Sequence, residues 1–410
     1  NMHTHTTQSN NPIEKFTTAY VVDRYHAAGY KILALTDHDY CTYPWDLFPQ
    51  YMSGVAARDA EALGMLAVPG NELSKDDTNS WDERTGGQFN HHNDFFTGRH
   101  GQEFASLQES YAYTYALGGM QIINHPGQYW NLSTTYSETE KNGPGWHATN
   151  FKTYPSLVGL EVYNQGNRRP NDRILWDQIL ERTMPERPVF GYSGDDTHND
   201  EQLFRNYNMM LMEELTTEEL KDAMRKGESY FCYEPKGSGE GKAPRITNIA
   251  VDEANKTITI ETNGMVSWIY GTDMTSSSSS STRSSVVGIG NTFCYEGYQG
   301  AYVRAFITNA YGETCTQPFG FTDSTTTDVD NVADNTELKV FVFPNPATDE
   351  LRVMMNQANT AELISVYDIT GKEVMRQPVE GALTTLPVSQ LHTGIYLLTV
   401  NGRQATFIKD

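Results

Sequence analysis

Short apolar runs that each end in a histidine or an acid punctuate residues 1–198, and they constrain the fold of this chain more than any other feature. The run-end groups are His3-Thr4-His5, Thr36-Asp37-His38-Asp39, Glu72 after Pro69-Gly70-Asn71, His91-His92, Asn124-His125-Pro126-Gly127, Glu161 before Val162-Tyr163-Asn164, and Gly194-Asp195-Asp196-Thr197-His198. A β-strand repeats its side-chain direction every two residues, so His3 and His5 share a face. Two neutral imidazoles on one face can hold a divalent metal. One His-x-His is weak evidence, because histidines also serve as buried hydrogen-bonded groups; the ordered company of the other groups strengthens it. Ten of the eleven histidines lie in residues 1–198, which places the chemistry there. His26, His100 and His147 fall in no motif and read as ordinary histidines.

Between these runs the apolar period changes. Ile13, Phe16, Tyr20, Val21 and Tyr25 recur at helical spacing over 13–28, and Gly29 is placed to stop that helix. Further helices are expected over 55–63, 103–117, 171–182 and 217–225, with strands over 31–36, 65–68, 88–95, 120–124, 158–162, 188–192 and 209–212. Strands alternating with helices imply parallel pairing in an α/β barrel or a doubly wound sheet, and a barrel keeps its chemistry at the strand ends. Past Pro235-Lys236-Gly237-Ser238-Gly239 the helical period ends. Short strands over 246–251, 257–262, 265–270, 301–308 and 317–321 suggest an immunoglobulin-like β-sandwich over 242–322, with the serine run 276–281 as a loop. A polar linker follows over 323–337, then a second small β unit over 338–410.

At 410 residues the chain has room for two or three cores. Its formal net charge of −22 argues against unaided binding to nucleic acid or anionic lipid. An acidic protein still binds a phosphorylated ligand when metal cations supply the local positive charge. No apolar run approaches the roughly 20 residues that span a bilayer. The four cysteines form no Cys-x-x-Cys pair; Cys294 and Cys315 share one β-rich segment and read either as a bridge or as two thiols. The start at Asn1 reads as a mature or trimmed end with a targeting segment removed upstream.

Taken in order, His3-x-His5-Thr6, Thr36-Asp37-His38-Asp39, Glu72, a mid-segment His, Asn124-His125-Pro126 and Gly194-x-Asp196-x-His198 resemble the PHP (polymerase and histidinol phosphatase) metal-dependent phosphoesterases over about residues 1–233. The resemblance implies a distorted (β/α)7 barrel, here over 1–235 and followed by the two all-β units, and two or three divalent cations (Zn, Mn or Fe). It implies that His3, His5, Glu72 and Asp196 hold one metal, and that Glu72, His91 and His125 hold the second with the Glu72 carboxylate bridging. His38 and His198 match ligands of a third metal. Asn10 departs from the family pattern His-Thr-x-x-Ser-Asp-Gly, where a carboxylate would stand. His38 and His198 are therefore expected either to complete a weak third site or to bind substrate phosphate. Adjacent strand residues face opposite ways, so one of His91 and His92 enters the barrel, and the resemblance favours His91.

Asp37 is expected either to orient a metal-binding histidine or to cap a turn. Glu161 is expected behind the ligands or against substrate. Arg168 and Arg169 follow the Glu161 strand and either grip a phosphate bidentately or are simply solvated. Paired cations lower the pKa of a bridging water and neutralise phosphoryl oxygens. The expected reaction is thus hydrolysis of phosphate mono- or diesters by metal-bridging hydroxide, on a small phosphorylated substrate. A carbamate or amide hydrolase on the same site, or an inactive surface glycan-binding protein, are the alternatives; Trp268, Tyr270 and Tyr298 read either as a sugar platform or as core. Loops 75–87 and 128–154 are expected to set specificity and carry no readable code.

In the last unit, Val342-Phe343-Pro344-Asn345-Pro346-Ala347, Val366-Tyr367-Asp368-Ile369-Thr370-Gly371-Lys372, Leu391-His392-Thr393-Gly394-Ile395-Tyr396 and the final Ala405-Thr406-Phe407-Ile408-Lys409-Asp410 resemble the C-terminal sorting domain of type IX secretion cargo. The resemblance implies the type IX machinery as partner, and export followed by release or attachment at the cell surface.

Overall fold

The computed structural model describes residues 1–9, 14–45, 58–74, 90–99, 104, 106–272, 284–321, 340–343, 346–355, 363–381 and 383–409. Asn10, His100, the loop 75–87, the serine run 276–281 and the linker 323–337 lie outside them.

Helix α1 (Thr18–Ala27) starts where the Thr17 side chain accepts a hydrogen bond from the Tyr20 N–H. Its buried Val21, Val22 and Tyr25 pack on Leu33 and Leu35 of strand β1 (Ile32–Leu35). Then come β2 (Leu66–Leu73), β3 (His92–Phe95), α2 (Leu107–Ala116), β4 (Met120–Ile123), α3 (Pro144–Thr153), β5 (Leu157–Asn164), α4 (Asp172–Thr183) and β6 (Phe190–Gly194). The six strands form one sheet in sequence order. Ahead of them, residues 1–4 run extended and touch both ends of this sheet. Asn1 O accepts from Ala34 N at 3.0 Å, Thr4 O from Thr36 N at 2.9 Å, and His3 O from Asp196 N at 2.9 Å.

The (β/α)7 barrel expected for residues 1–235 is not what forms. The pairs β1–β2, β4–β5 and β5–β6 are parallel, but β2–β3 and β3–β4 are antiparallel. Antiparallel neighbours need no crossover helix; of the helix expected over 55–63, residues 60–63 lie in a turn and 55–57 lie outside the described residues. Strands β7 (Asn206–Met210) and β8 (Ser229–Tyr233), joined by α5 (Thr217–Lys226), pair with each other in a separate sheet. The result is a half-barrel in a mostly β protein: among the described residues strand accounts for 38% and helix, 3-10 turns included, for 18%, with five α-helices.

Eight further strands follow: β9 (Ile246–Asp252), β10 (Thr257–Thr262), β11 (Met265–Thr272), β12 (Ser284–Ile289), β13 (Thr292–Cys294), β14 (Tyr302–Thr308), β15 (Glu313–Thr316) and β16 (Phe319–Gly320). Sheet β13-β10-β9 packs on sheet β12-β11-β14-β15-β8-β7 through Ile258, Ile260, Val266, Trp268, Phe293, Val303 and Ile307. Because β8 pairs with β15, the last strands of the first segment belong to the sheet of the second. Trp268 is a core residue, 0% exposed, with Nε1 donating to Gly290 O. Tyr270 and Tyr298 are half-buried against Tyr302 and Phe293. All four cysteines are free thiols, Cys294 exposed and Cys315 buried, so no bridge joins them. The final unit comprises β17 (Val340–Phe343), β18 (Glu350–Met355), β19 (Leu363–Asp368), β20 (Glu373–Pro378), β21 (Leu383–Pro387), β22 (Gly394–Val400) and β23 (Arg403–Lys409). Its sheets β17-β18-β21 and β20-β19-β22-β23 share a core that includes Leu351, Val353, Ile364, Val366, Leu386, Leu398 and Phe407.

A buried ion pair ties α4 to the second sheet. Arg304 Nε and Nη2 donate to Asp177 Oδ1 and Oδ2 at 2.8 and 2.6 Å, and the guanidinium lies over the Trp176 ring. Removing one partner strands a buried charge. Arg304→Ala should therefore cost about 3–5 kcal/mol in urea unfolding, while Arg304→Met combined with Asp177→Leu should cost far less. Equal losses for both variants would contradict this.

Candidate metal centre

The side chains that end the half-barrel strands converge on one carboxylate. Glu72, at the end of β2, is 0% exposed, and its backbone is fixed by Asp37 O accepting from Glu72 N and by Glu72 O accepting from Asp39 N. Its Oε1 faces His91 Nδ1 at 3.1 Å, His125 Nε2 at 3.2 Å and His3 Nε2 at 3.5 Å. Its Oε2 faces His38 Nδ1 at 3.1 Å and His5 Nε2 at 3.2 Å. Asp196 Oδ1 lies 3.1 Å from His5 Nε2, 3.4 Å from His3 Nε2 and 3.5 Å from His198 Nδ1. All eight residues expected as metal ligands thus meet. Within each of three groups (His3, His5, Glu72 and Asp196; His38, Glu72 and His91; His5, His38 and His198) the donor atoms lie within 4.8 Å of one another.

A surrounding layer aims these rings. Glu161 Oε1 accepts from His3 Nδ1 at 2.8 Å, which leaves Nε2 turned to the acids. Glu161 Oε2 accepts from the His125 N–H and from Asn164 Nδ2. Asp37 accepts from Thr6 N, Thr6 Oγ1, Ser9 Oγ and Thr42 Oγ1, and the Ser9 hydroxyl in turn meets His5 Nδ1 at 3.1 Å. Asp37 therefore acts on His5 through Ser9. Outer hydrogen bonds of this kind fix a ligand's tautomer and ring angle. Gly194 is required by packing, since a Cβ there would run into Glu161 Oε1 and the His3 side chain.

The strand alternation separates His91 from His92. His91 enters the cluster, whereas His92 lies buried on the other face, with Nδ1 against Asn90 O and Nε2 against Ser110 Oγ of α2. Neither arginine reaches the cluster. Arg168 is exposed and donates to Gln165 Oε1, and Gln165 itself donates to Asp196 Oδ2. Arg169 donates to Gly127 O and Gln128 Oε1. Glu14 joins the site without having been expected there, its Oε1 3.7 Å from His198 Nε2. Sequence periodicity puts Glu14 in the first turn of a helix with a wet face. The helix starts only at Thr18, and the extended chain before it turns the carboxylate inward, 7% exposed.

The electrostatics fit a divalent cation. Burial opposes charge on His5, but the Asp196 and Glu72 carboxylates outweigh it and raise its pKa to about 10; Glu161, Asp196 and Glu72 likewise hold His3 well above the ordinary range. Burial instead pushes His38 well down and lowers His198. Burial opposes the ionised form of Glu72 as well, yet the surrounding imidazoles hold it well below its usual value. Burial raises Glu14 to about 7. His3 Nε2, Glu72 Oε2 and both Glu14 oxygens are buried with no hydrogen-bond partner. Buried polar atoms normally find one. A set of imidazole nitrogens and carboxylate oxygens suits first-row divalent ions.

Loading such a site must displace protons from His3 and His5. In metal-free protein the raised pKa of His5 contributes stability that is fully present below 6.5 and is lost as pH rises through about 10. Chelator-treated protein should therefore melt at progressively lower temperature across that range, and zinc should restore the melting temperature by a growing margin. Calorimetry at graded pH with and without chelator measures this; a flat profile in chelator would contradict it.

Comparison with known proteins identifies the C-terminal unit. Residues 341–410 match the secretion system C-terminal sorting domain family. The chain carries a type IX sorting tail, the element through which that machinery is engaged, and it is secreted or attached at the outer-membrane surface. No helix among the described residues is long and apolar enough to cross a membrane. No curated protein matches the chain. Among solved structures it is similar to PorZ, a surface component of the type IX secretion system of Porphyromonas gingivalis, at 12% identity and a TM-score of 0.16 over 44% of this chain and 28% of PorZ. It is also similar to latent PorU of the same organism at 15% identity and a TM-score of 0.14, over 44% of this chain and 24% of PorU. A third is Escherichia coli α2-macroglobulin spanning domains MG0-NIE-MG1, at 10% identity and a TM-score of 0.14, over 37% of this chain and 57% of that one. The chain spans about a quarter of the length of PorZ and PorU, and scores this low carry no argument about its fold.

Proposed function

We propose that this is an exported metal-dependent phosphoesterase that hydrolyses phosphate mono- or diesters of small molecules. The observation that carries the reading is the Glu72 carboxylate, buried and faced on both oxygens by five imidazoles, with Asp196 beside it. His3, His5, Glu72 and Asp196 would hold one cation and Glu72, His91 and His125 another; His38 and His198, with Glu14 behind His198, line a third position. Divalent cations there supply an activated water and neutralise ester oxygens. The order of the motifs along the chain, which resembles that of PHP phosphoesterases, supports the same reading without a closed barrel.

The chain's own residues do the rest of the work. Glu161 and the Asp37–Ser9 relay hold His3 and His5 so that each turns Nε2 to the acids. Asn124 Nδ2 donates to Glu72 Oε1 at 2.8 Å and keeps that carboxylate from rotating. Asn164 and Gln165 donate to Asp196 Oδ2 and leave Oδ1 for the rings. The cations this centre would hold bring local positive charge into a protein of net charge −22, which an anionic substrate requires.

Purified protein loaded with zinc or manganese should release phosphate or alcohol from members of a panel of mono- and diesters. Asp196→Asn should lower kcat on the order of 100-fold, the scale for removing one transition-state stabiliser. Turnover of carbamates or amides exceeding that of every ester would transfer the site to carbonyl chemistry; no turnover of any ester would contradict the proposal.

A further inference from the structure

The turn that carries His125 is held by more than the groups around Glu72. His125 has φ +28° and ψ 56°, in the left-handed region that side chains with a Cβ avoid. Such a conformation persists only where the surroundings over-determine it. Its N–H donates to Glu161 Oε2 at 2.9 Å, and a single helical turn, Pro126–Gln128, follows at once. Arg169 grips that turn twice, with Nη1 to Gly127 O at 3.4 Å and Nη2 to Gln128 Oε1 at 3.3 Å. Beneath it lies Asp172, fully buried at the start of α4, so close that a Cβ on Gly127 would strike its carboxylate. Tyr129 closes the turn by accepting the His91 N–H with its hydroxyl at 3.2 Å.

Apart from the His91–Tyr129 bond, these contacts come from one stretch of chain. Residues 161–172 leave the end of β5 and supply Glu161 to His3 and to the His125 backbone, Arg169 to the carbonyl of Gly127, and Asp172 to the floor under it. We infer that Arg169, Asp172 and Gly127 form a latch that sets the position of His125, and that Arg169 is a positioning residue for the metal centre. This rests on the metal-dependent reading above. It separates the two arginines: Arg168 is exposed beside Gln165, whereas Arg169 donates to the turn that follows His125.

The test is equilibrium zinc binding by the full chain, followed by competition with a chromophoric chelator, so that no activity is needed. Arg169→Ala and Gly127→Ala should each weaken one class of zinc site by about 10- to 100-fold, the usual effect of disturbing a group that orients a ligand, and leave the other class unchanged. Far-UV circular dichroism and a thermal melt confirm folding; if Gly127→Ala does not fold, Arg169→Ala decides alone, since it adds no atom to the turn. Wild-type affinity in both single variants would overturn the latch, and a raised KM for a phosphate ester at that unchanged affinity would assign Arg169 to substrate. Wild-type protein that binds no zinc would instead overturn the metal-dependent reading itself.

Discussion

A carboxylate sealed from water is costly unless cations or donors surround it. Glu72 meets that requirement with His3, His5, His38, His91 and His125 at 3.1 to 3.5 Å, and each ring comes from a different part of the chain except the His3–His5 pair. Bringing those parts together dictates the architecture. The sheet must curve so that the ends of β1 to β6 face one another, and residues 1–4 must lie between its first and last strands to deliver His3 and His5. The outer polar layer follows from the same demand: two acids this close stay ionised only if each ring is held in the right orientation, which Glu161 and Asp37 enforce.

Much of the site is readable in the sequence because its chemistry restricts residue type. Imidazoles and acids immediately after apolar runs mark strand ends, and the period of two assigns His3 and His5 to one face and splits His91 from His92. The fold is less readable. A buried strand has the same apolar pattern whether its neighbour runs parallel or antiparallel, so nothing in 88–95 announces that β3 runs against both β2 and β4. For the same reason the departure of β7 and β8 into the second sheet has no local signature. Helix α3 lies within a stretch read as a loop, since Pro144 at its start and Gly145 after it look like turn residues although proline is well suited to a first helical position. Glu14 and Arg169 owe their places to where a helix begins and how a turn folds back, which are tertiary facts.

The three parts of the chain carry separable tasks on a partly shared frame. The half-barrel and the first sandwich share a sheet through β8 and β15 and a buried ion pair through Asp177 and Arg304. Residues 341–410 form the sorting unit, with its own apolar core of aliphatic residues and Phe407. The route of export is thus encoded in a compact β unit apart from the histidine cluster.

The most direct test of this account is the metal content of protein purified without a metal-affinity tag and incubated with zinc, manganese or ferrous iron, measured by elemental analysis for wild type and Glu72→Ala. The account predicts about two or three tightly held ions per wild-type chain and loss of most of them in the variant, because Glu72 belongs to two of the three ligand groups. Wild-type protein without bound metal, or a Glu72→Ala variant that keeps the full complement, would contradict it.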